Sequence, residues 1–315
     1  MTTTADAPAR RAGAADGGTE WADTCDTSGR LRRVAEVLER IGQVVVAFSG
    51  GADSAFLAFV ATRVLGTRRV RCVTADSASL APEELADCRA LAAQWGLRWS
   101  ALATEELEDP SYVANDLDRC YYCKSELMAV LEPVAESDGA TVVLGVNLDD
   151  LGDHRPGQRA AAERGAVFPL VEAGLTKSDV RDLSRLLGLR TWDKPAAACL
   201  ASRVPHGTPV SAELLGQVAR AESALRRLGF RSLRVRHYGD AARVEVDLAD
   251  LGRLLELREQ VTAALHGVGF RYVTVDLDGL RSGNVSRAAL EDARAAGDLS
   301  ATPDPAAVVL GATRR

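Results

Sequence analysis

The sequence holds no run close to the ~18 uninterrupted apolar residues that a membrane-crossing helix needs, although 47% of its 315 residues are hydrophobic. Its opening stretch, MTTTADAPARRAGAADGG, has no apolar core of the kind a secretion signal carries. Residues 1–25 are therefore expected to form a disordered leader, and the protein to be cytoplasmic with no membrane partner. Positive charge is not in excess either. The net charge is −6 and the pI about 5.4, which argues against bulk electrostatic binding of nucleic acid. There is no internal repeat. Six cysteines without a secretion signal point to thiol chemistry or metal ligation rather than structural disulfides.

What is present reads as alternating strands and helices. Gln43–Phe48, Arg69–Ala75, Arg98–Ala101 and Thr141–Val146 are short apolar stretches, and TVVLGV is apolar throughout, as in a sheet covered on both faces. Between them, DSAFLAFVATRVLG and PEELADCRALAAQWG carry apolar residues at helical spacing. The order predicts a doubly wound parallel α/β sheet, with ligands at the carboxyl ends of its strands. A further helix starts at TKSDVRDLSRLLG, where Thr176 and Asp179 have near-capping-box spacing. WDKPAAACLASRVPHGTPV then reads as an irregular connector. A smaller α/β unit follows: a helix near 211–228, strands near 233–237 and 243–247, a helix near 248–265, and a strand near 272–276. The expected division is 26–198, 199–285 and a flexible tail over 286–315.

Ser49-Gly50-Gly51-Ala52-Asp53-Ser54 follows the first strand and opens a helix. Glycines let the backbone approach an anion closely, and a helix N-terminus favours negative charge. The loop lacks the Gly-Lys-Ser/Thr ending of the Walker loop, and it lacks Gly-x-Gly-x-x-Gly.

Among the cysteines, Cys25, Cys72 and Cys88 read as ordinary, the latter two on buried faces. Cys120 and Cys123 stand in DRCYYCKSEL with Arg119 and Lys124 beside them. Nearby positive charge favours the thiolate, which is both nucleophile and metal ligand. Cys199 lies on the connector, so three thiols from two loops can meet at one edge of the sheet. Three other readings stay open: a Cys120–Cys123 redox pair, a Cys₃His zinc site completed by His206, or no relation between the thiols. An iron–sulfur cluster commonly takes four thiolates, so three leave one iron open to an external ligand. Arg234 and Arg236 alternate on a strand and face one side, where guanidinium groups suit phosphate.

SGGADS resembles the PP-loop of the ATP pyrophosphatase superfamily, which includes GMP synthetase, asparagine synthetase, NAD synthetase and several tRNA-thiolating enzymes. Its domain is of the adenine nucleotide alpha hydrolase-like type. The resemblance implies cleavage of ATP to AMP and pyrophosphate with Mg2+, and adenylation of a substrate oxygen. It assigns ATP to Ala47, Ser49, Gly50, Gly51, Asp53, Ser54, Ala75, Ser77, Gly145, Asn147 and Asp149, with Asp53 near magnesium.

FSGGADS, RCYYCKSEL, DDLGDHRPG, KPAAACLASRVPHG, RSLRVRHYGDAARVEVDL and YVTVDLDGLRSG together are similar to the LarE family, over roughly residues 31–283. The resemblance implies an ATP-dependent sulfurtransferase of nickel-pincer nucleotide synthesis. Its substrate is a pyridinium dicarboxylate mononucleotide, whose carboxylates become thiocarboxylates. Cys120, Cys123 and Cys199 match the version in which three cysteines bind a [4Fe–4S] cluster that delivers sulfide. The other version, which lacks two of these thiols, sacrifices the sulfur of the cysteine at position 199. Ser202, Arg203, Arg234 and Arg236 are the implied substrate-binding residues, with Glu222 and Glu245 in the same region. His154 and Arg155 either bind ATP or order their loop. The implied partners are sulfide or another sulfur donor and further copies of the chain, as a hexamer. A tRNA-thiolating enzyme is the main rival, and the acidic balance argues against it. Amide synthesis needs an ammonia source, and no glutaminase domain is apparent.

Overall fold

The computed structural model describes residues 28–152, 156–195 and 198–281. Cys25, His154, Arg155 and the expected leader and tail segments lie outside them. Four strands, β1 (Val44–Ala47), β2 (Val70–Asp76), β3 (Trp99–Ala103) and β4 (Thr141–Leu144), form a wholly parallel sheet in the order β3-β2-β1-β4. The doubly wound α/β expectation is met. β1 is central and buried on both sides. Val44 and Val46 point into one apolar core with Phe56, Leu57 and Val60, while Val45 points into the other with Leu131, Val142 and Phe168. Two covered faces explain why the strand reads VVVA rather than alternating. The chain winds outward from β1 to β3 and then returns to lay β4 on the other side of β1. The carboxyl ends of β1 and β4 thus flank the switch point, where such sheets open a crevice.

Helices over Gly29–Ile41, Ala52–Leu65, Pro82–Trp95, Arg119–Asp138, Pro156–Glu163 and Lys177–Leu186 cover the sheet. Ser28 caps the first by accepting from the Leu31 N–H at 3.3 Å. The Lys177 helix starts on a complete capping box between Thr176 and Asp179, as its spacing predicts. The stretch holding Cys120 and Cys123, read above as a loop, is instead the first turn of the Arg119–Asp138 helix. Burial of Leu127, Met128, Leu131 and Ala135 further along carries the helix, so the weak local pattern at its start is overridden.

A second sheet has the order β5 (Leu233–Tyr238), β6 (Ala241–Val246) and β7 (Tyr272–Val275), antiparallel then parallel. The Ala212–Arg227 helix packs on it, with Val235, Val244, Leu254 and Leu265 in its core. The single helix expected near 248–265 is broken at Leu257 (φ −90°, ψ 13°) into Leu251–Glu256 and Arg258–Gly267, after a 3₁₀ turn over Leu248–Asp250. The break lets Leu254, Val261 and Leu265 reach one core. A small cluster of Ala81, Tyr112, Leu200, Val204, Leu215 and Val218 joins the two sheets' surroundings. Among the described residues no helix is long and apolar enough to cross a membrane.

Candidate active site

The SGGADS loop leaves β1 and enters the Ala52–Leu65 helix. Gly51 is its N-cap and no side chain caps it, so the first amides are left for an anion. Gly50 sits at φ +67°, the left-handed region, and a Cβ there would stand 2.8 Å from the Cys88 sulfur. The hydroxyls of Ser49 and Ser54 meet at 3.0 Å, and Ser54 accepts from the Ser49 N–H at 3.2 Å. The end of β4 closes in from the side. An added Cβ on Gly145 would lie 2.7 Å from the Ser54 nitrogen, so only glycine admits this approach. Ala47 pairs across the sheet with both Val73 and Leu144. Asn147, 1% exposed, accepts the Asp149 N–H on Oδ1 at 3.0 Å and is held by the Asp150 carboxylate.

Two lysines that sequence reading passes over reach the loop from elsewhere in the chain. Lys177, at the start of its helix, pairs with Asp53 through its ammonium group, and its backbone N–H donates to Asp149 at 2.7 Å. Lys194 donates to the Gly50 carbonyl at 3.1 Å and pairs with Glu84 and Asp87 at 2.8 and 2.7 Å. The TKSD capping signal places Lys177 at a helix start, but its approach to the loop is tertiary. The other Asp53 oxygen, Oδ1, is buried without a hydrogen-bond partner. A hard divalent cation takes such a carboxylate oxygen, so the donor fits Mg2+.

Ala75 and Ser77 lie at and just past the end of β2. The Ser77 hydroxyl donates to the buried Glu106 carboxylate and also accepts the Ser79 N–H at 3.0 Å. A cavity of about 310 Å³ opens there, lined by Asp76, Ser77, Pro82, Leu85, Leu200 and Leu215 among others. Leu200, the residue after Cys199, lines it and donates its N–H to the Ser79 carbonyl at 2.8 Å.

Cys120 and Cys123 lie one turn apart at a helix N-terminus, where the dipole favours thiolate. Cys120 and Cys199 are exposed, Cys123 is part-buried, and all are free thiols. Burial pushes the Cys123 thiol up to about 12; Lys124 opposes this, and the charges of Cys199 and Cys120 add to it. The three cysteines are thus within electrostatic reach of one another. Among the described residues, no three His, Cys, Asp or Glu side chains converge as a finished metal site. His206 turns Nδ1 to the carbonyls of Asn115 and Asp116 at 3.3 and 3.0 Å. Beside the thiols, burial opposes the charge of Arg119, yet Cys199 and Cys120 outweigh it and raise its pKa.

The implied substrate-binding arginines are engaged in the structure. Arg203 forks onto Glu222 at 2.7 and 3.2 Å, and Arg236 onto Glu245 at 2.9 Å on both arms. Both guanidinium groups also reach the backbone around Cys199: Arg203 to the carbonyls of Ala198 and Cys199, Arg236 to that of Ser202. The Ser202 hydroxyl donates to the Cys199 carbonyl at 2.7 Å. Arg234 gives one N–H to the Arg281 carbonyl at 3.1 Å. Its pKa is lowered by burial and by Arg236 and Arg203 nearby, partly offset by Glu245 and Glu222, so it stands in a field that favours an anion.

A parallel sheet whose first strand delivers SGGADS to an uncapped helix N-terminus, beside a switch point, defines a PP-loop ATP pyrophosphatase domain. Residues 32–113 match the NAD synthase family model. The chain is 39% identical over 250 residues to pyridinium-3,5-bisthiocarboxylic acid mononucleotide synthase of Lactiplantibacillus plantarum, covering 79% of this chain and 91% of that protein. It is 42% identical over 261 residues to an uncharacterized Synechocystis protein, covering 82% and 97%. A weaker match, 27% over 208 residues, is to a glutamine-hydrolyzing GMP synthase component of Methanoculleus marisnigri, covering 62% and 65%. The chain belongs to the LarE family and is an ATP-using sulfurtransferase.

Proposed function

We propose that this enzyme adenylates the carboxylates of a pyridinium dicarboxylate mononucleotide and converts them to thiocarboxylates, as a step in nickel-pincer nucleotide synthesis. What supports the reading is that the turn after Cys199 is hydrogen-bonded to the segment after β2, at the carboxyl edge of the sheet, and that Arg119, beside Cys120, donates to the Ala201 carbonyl of that same turn at 2.9 Å. The Cys199 segment is tied to that edge through Ser79, after β2, and through Lys194, at the SGGADS loop.

In the first half-reaction a substrate carboxylate oxygen attacks the α-phosphorus of ATP, and pyrophosphate leaves. The amides after Gly51, with Ser49, Gly50 and Ser54, hold the departing phosphates. Lys177 balances their charge, Asp53 would hold an Mg2+ ion that would neutralise the rest, and Asn147 and Asp149 brace the loop from β4. Ala47, Ala75, Ser77 and Gly145 border the nucleoside. In the second half-reaction a sulfur nucleophile adds to the acyl carbon and AMP leaves, giving a thiocarboxylate, AMP and a proton. A [4Fe–4S] cluster on Cys120, Cys123 and Cys199 would supply sulfide from its one iron without a protein ligand. What supports it is the donor chemistry: three free thiols that feel one another's charge, two of them in the first turn of a helix, next to the buried Arg119. Ser202, Arg203, Arg234 and Arg236 form the substrate wall, in which Arg234, its guanidinium free of carboxylates among the described residues, takes the phosphate and the paired Arg203 and Arg236 hold the turn behind it. Residues 26–198 then act as the ATP domain and 199–285 as the substrate and oligomerisation domain of a homo-oligomer, a hexamer by family resemblance.

The test is an anaerobic assay with ATP, Mg2+, sulfide and the pyridinium nucleotide. Pyrophosphate release that depends on the pyridinium nucleotide, with oxygen replaced by sulfur in the product, is the expected result. Tight, salt-sensitive binding of tRNA with no turnover of the nucleotide would overturn it.

A further inference from the structure

Three buried arginines grip the turn that carries Cys199, and two of them are neutralised. Arg203 (5% exposed) is balanced by Glu222 and Arg236 (2% exposed) by Glu245. Arg119 (4% exposed) donates to the Ala201 carbonyl at 2.9 Å, yet among the described residues no carboxylate pairs with it. Its other partners are the neutral Asn115 Oδ1 at 2.5 Å and the Cys120 sulfur at 4.0 Å. A guanidinium taken out of water without a counter-charge is costly, and the same turn shows twice how this chain meets that cost with glutamate. The place left for a counter-charge is the thiol pair.

Asn115 completes the arrangement. It is fully buried at φ 56°, an uncommon conformation for a side-chain-bearing residue. Its amide donates to the Pro205 and Thr208 carbonyls, both at 2.8 Å, and its own carbonyl accepts the Gly207 N–H at 3.0 Å. Asn115 and Arg119 together join the segment before Cys120 to the segment after Cys199.

We propose that Arg119 is a positioning residue of the sulfur centre: it locks the Cys199 turn to the start of the Cys120 helix and reserves its charge for the anionic sulfur that those thiols gather. The inference rests on the reading of Cys120, Cys123 and Cys199 as the sulfur site. Lysine at 119 keeps the charge without the fork; methionine removes both.

Two measurements test it, with the buried Cys72 and Cys88 as markers that a variant is folded. In metal-free, reduced protein, dibromobimane bridging of Cys120 to Cys199, read by peptide mass, is expected to fall in Arg119→Met and in Asn115→Ala. After anaerobic reconstitution with ferrous iron and sulfide, Arg119→Met is expected to hold iron against a chelator about tenfold less well. Its reduction potential should shift to more negative values, because a fixed cation favours the reduced, more negative state. Arg119→Lys should keep the potential of the unsubstituted protein, which a merely structural role does not require. Unchanged bridging, iron retention and potential in Arg119→Met overturn the inference. Should that variant expose Cys72 and Cys88, unchanged bridging in Asn115→Ala overturns it equally. If the unsubstituted protein takes up no iron, the cluster reading falls, while bridging lost in Arg119→Met still supports the role of Arg119.

Discussion

Gly145 and Ser54 show how little room the nucleotide site leaves at the level of single residues. A methyl group on Gly145 would meet the Asp53 carbonyl carbon at 2.8 Å and the Ser54 nitrogen at 2.7 Å, both backbone atoms that cannot swing aside. Gly145→Ala must push β4 away from the phosphate helix. It is expected to cost about 1–3 kcal/mol of stability and to abolish most pyrophosphate release, checked by denaturant titration and a coupled pyrophosphate assay. Lys177 makes the complementary point. Lys177→Met leaves Asp53 without its ammonium partner and the departing pyrophosphate without its cation. An expected loss of about 10²-fold in turnover, with the thermal midpoint little changed, is measurable in the same assay. SGGADS is legible in the sequence because its six residues are contiguous. Lys177 and Lys194 are not, because each comes to the loop from an element more than a hundred residues further along the chain.

At the scale of elements, the stretch holding Arg190 and Lys194 is tied down by ion pairs. Lys194 bridges Glu84, Asp87 and the Gly50 carbonyl, and Arg190 adds a further bond to Asp87 at 2.5 Å. Burial would raise the Asp87 pKa, but hydrogen bonds and charge from Lys194 and Arg190 more than reverse this and hold it below the ordinary value. A carboxyl group lowered on folding stabilises the native state above its unfolded pKa, about 4. That contribution is lost as the pH falls through the lower folded value. The thermal midpoint of Asp87→Asn is therefore expected to lie below that of the parent by a constant amount from about pH 5 to 7, and to converge with it below about pH 4. A gap that persists unchanged at low pH would contradict the assignment. Strand existence is readable from short apolar runs. The helical start at Cys120 is not, since a Cys-Tyr-Tyr-Cys turn has little helical propensity and is set by packing further along.

Across the whole molecule, the second sheet serves the cysteine turn through buried ion pairs. Glu222 and Glu245 are wholly buried, one on the Ala212–Arg227 helix and one on β6, and each hands an arginine to the carbonyls around Cys199. Arg236→Met would strand Glu245 with only the more exposed Arg243. A loss of about 3 kcal/mol is expected by denaturant titration, and the double variant Arg236→Met, Glu245→Leu should recover much of it while leaving sulfur transfer impaired. The RVR pattern announces two arginines on one strand face. That Arg236 spends its fork on Glu245, while Arg234 meets no carboxylate among the described residues, is a matter of burial, which the pattern does not encode.

Sulfide is proposed to reach the adenylated carboxylate through the Cys120–Cys123–Cys199 site. The most direct measurement is a single anaerobic turnover with ATP, Mg2+, the pyridinium nucleotide and sulfide enriched in a heavy sulfur isotope. The nucleotide product and the Cys199 peptide are then weighed together. The expected result is label in the thiocarboxylate and an unaltered Cys199. An unlabelled product, with Cys199 lighter by the mass of hydrogen sulfide, would contradict it.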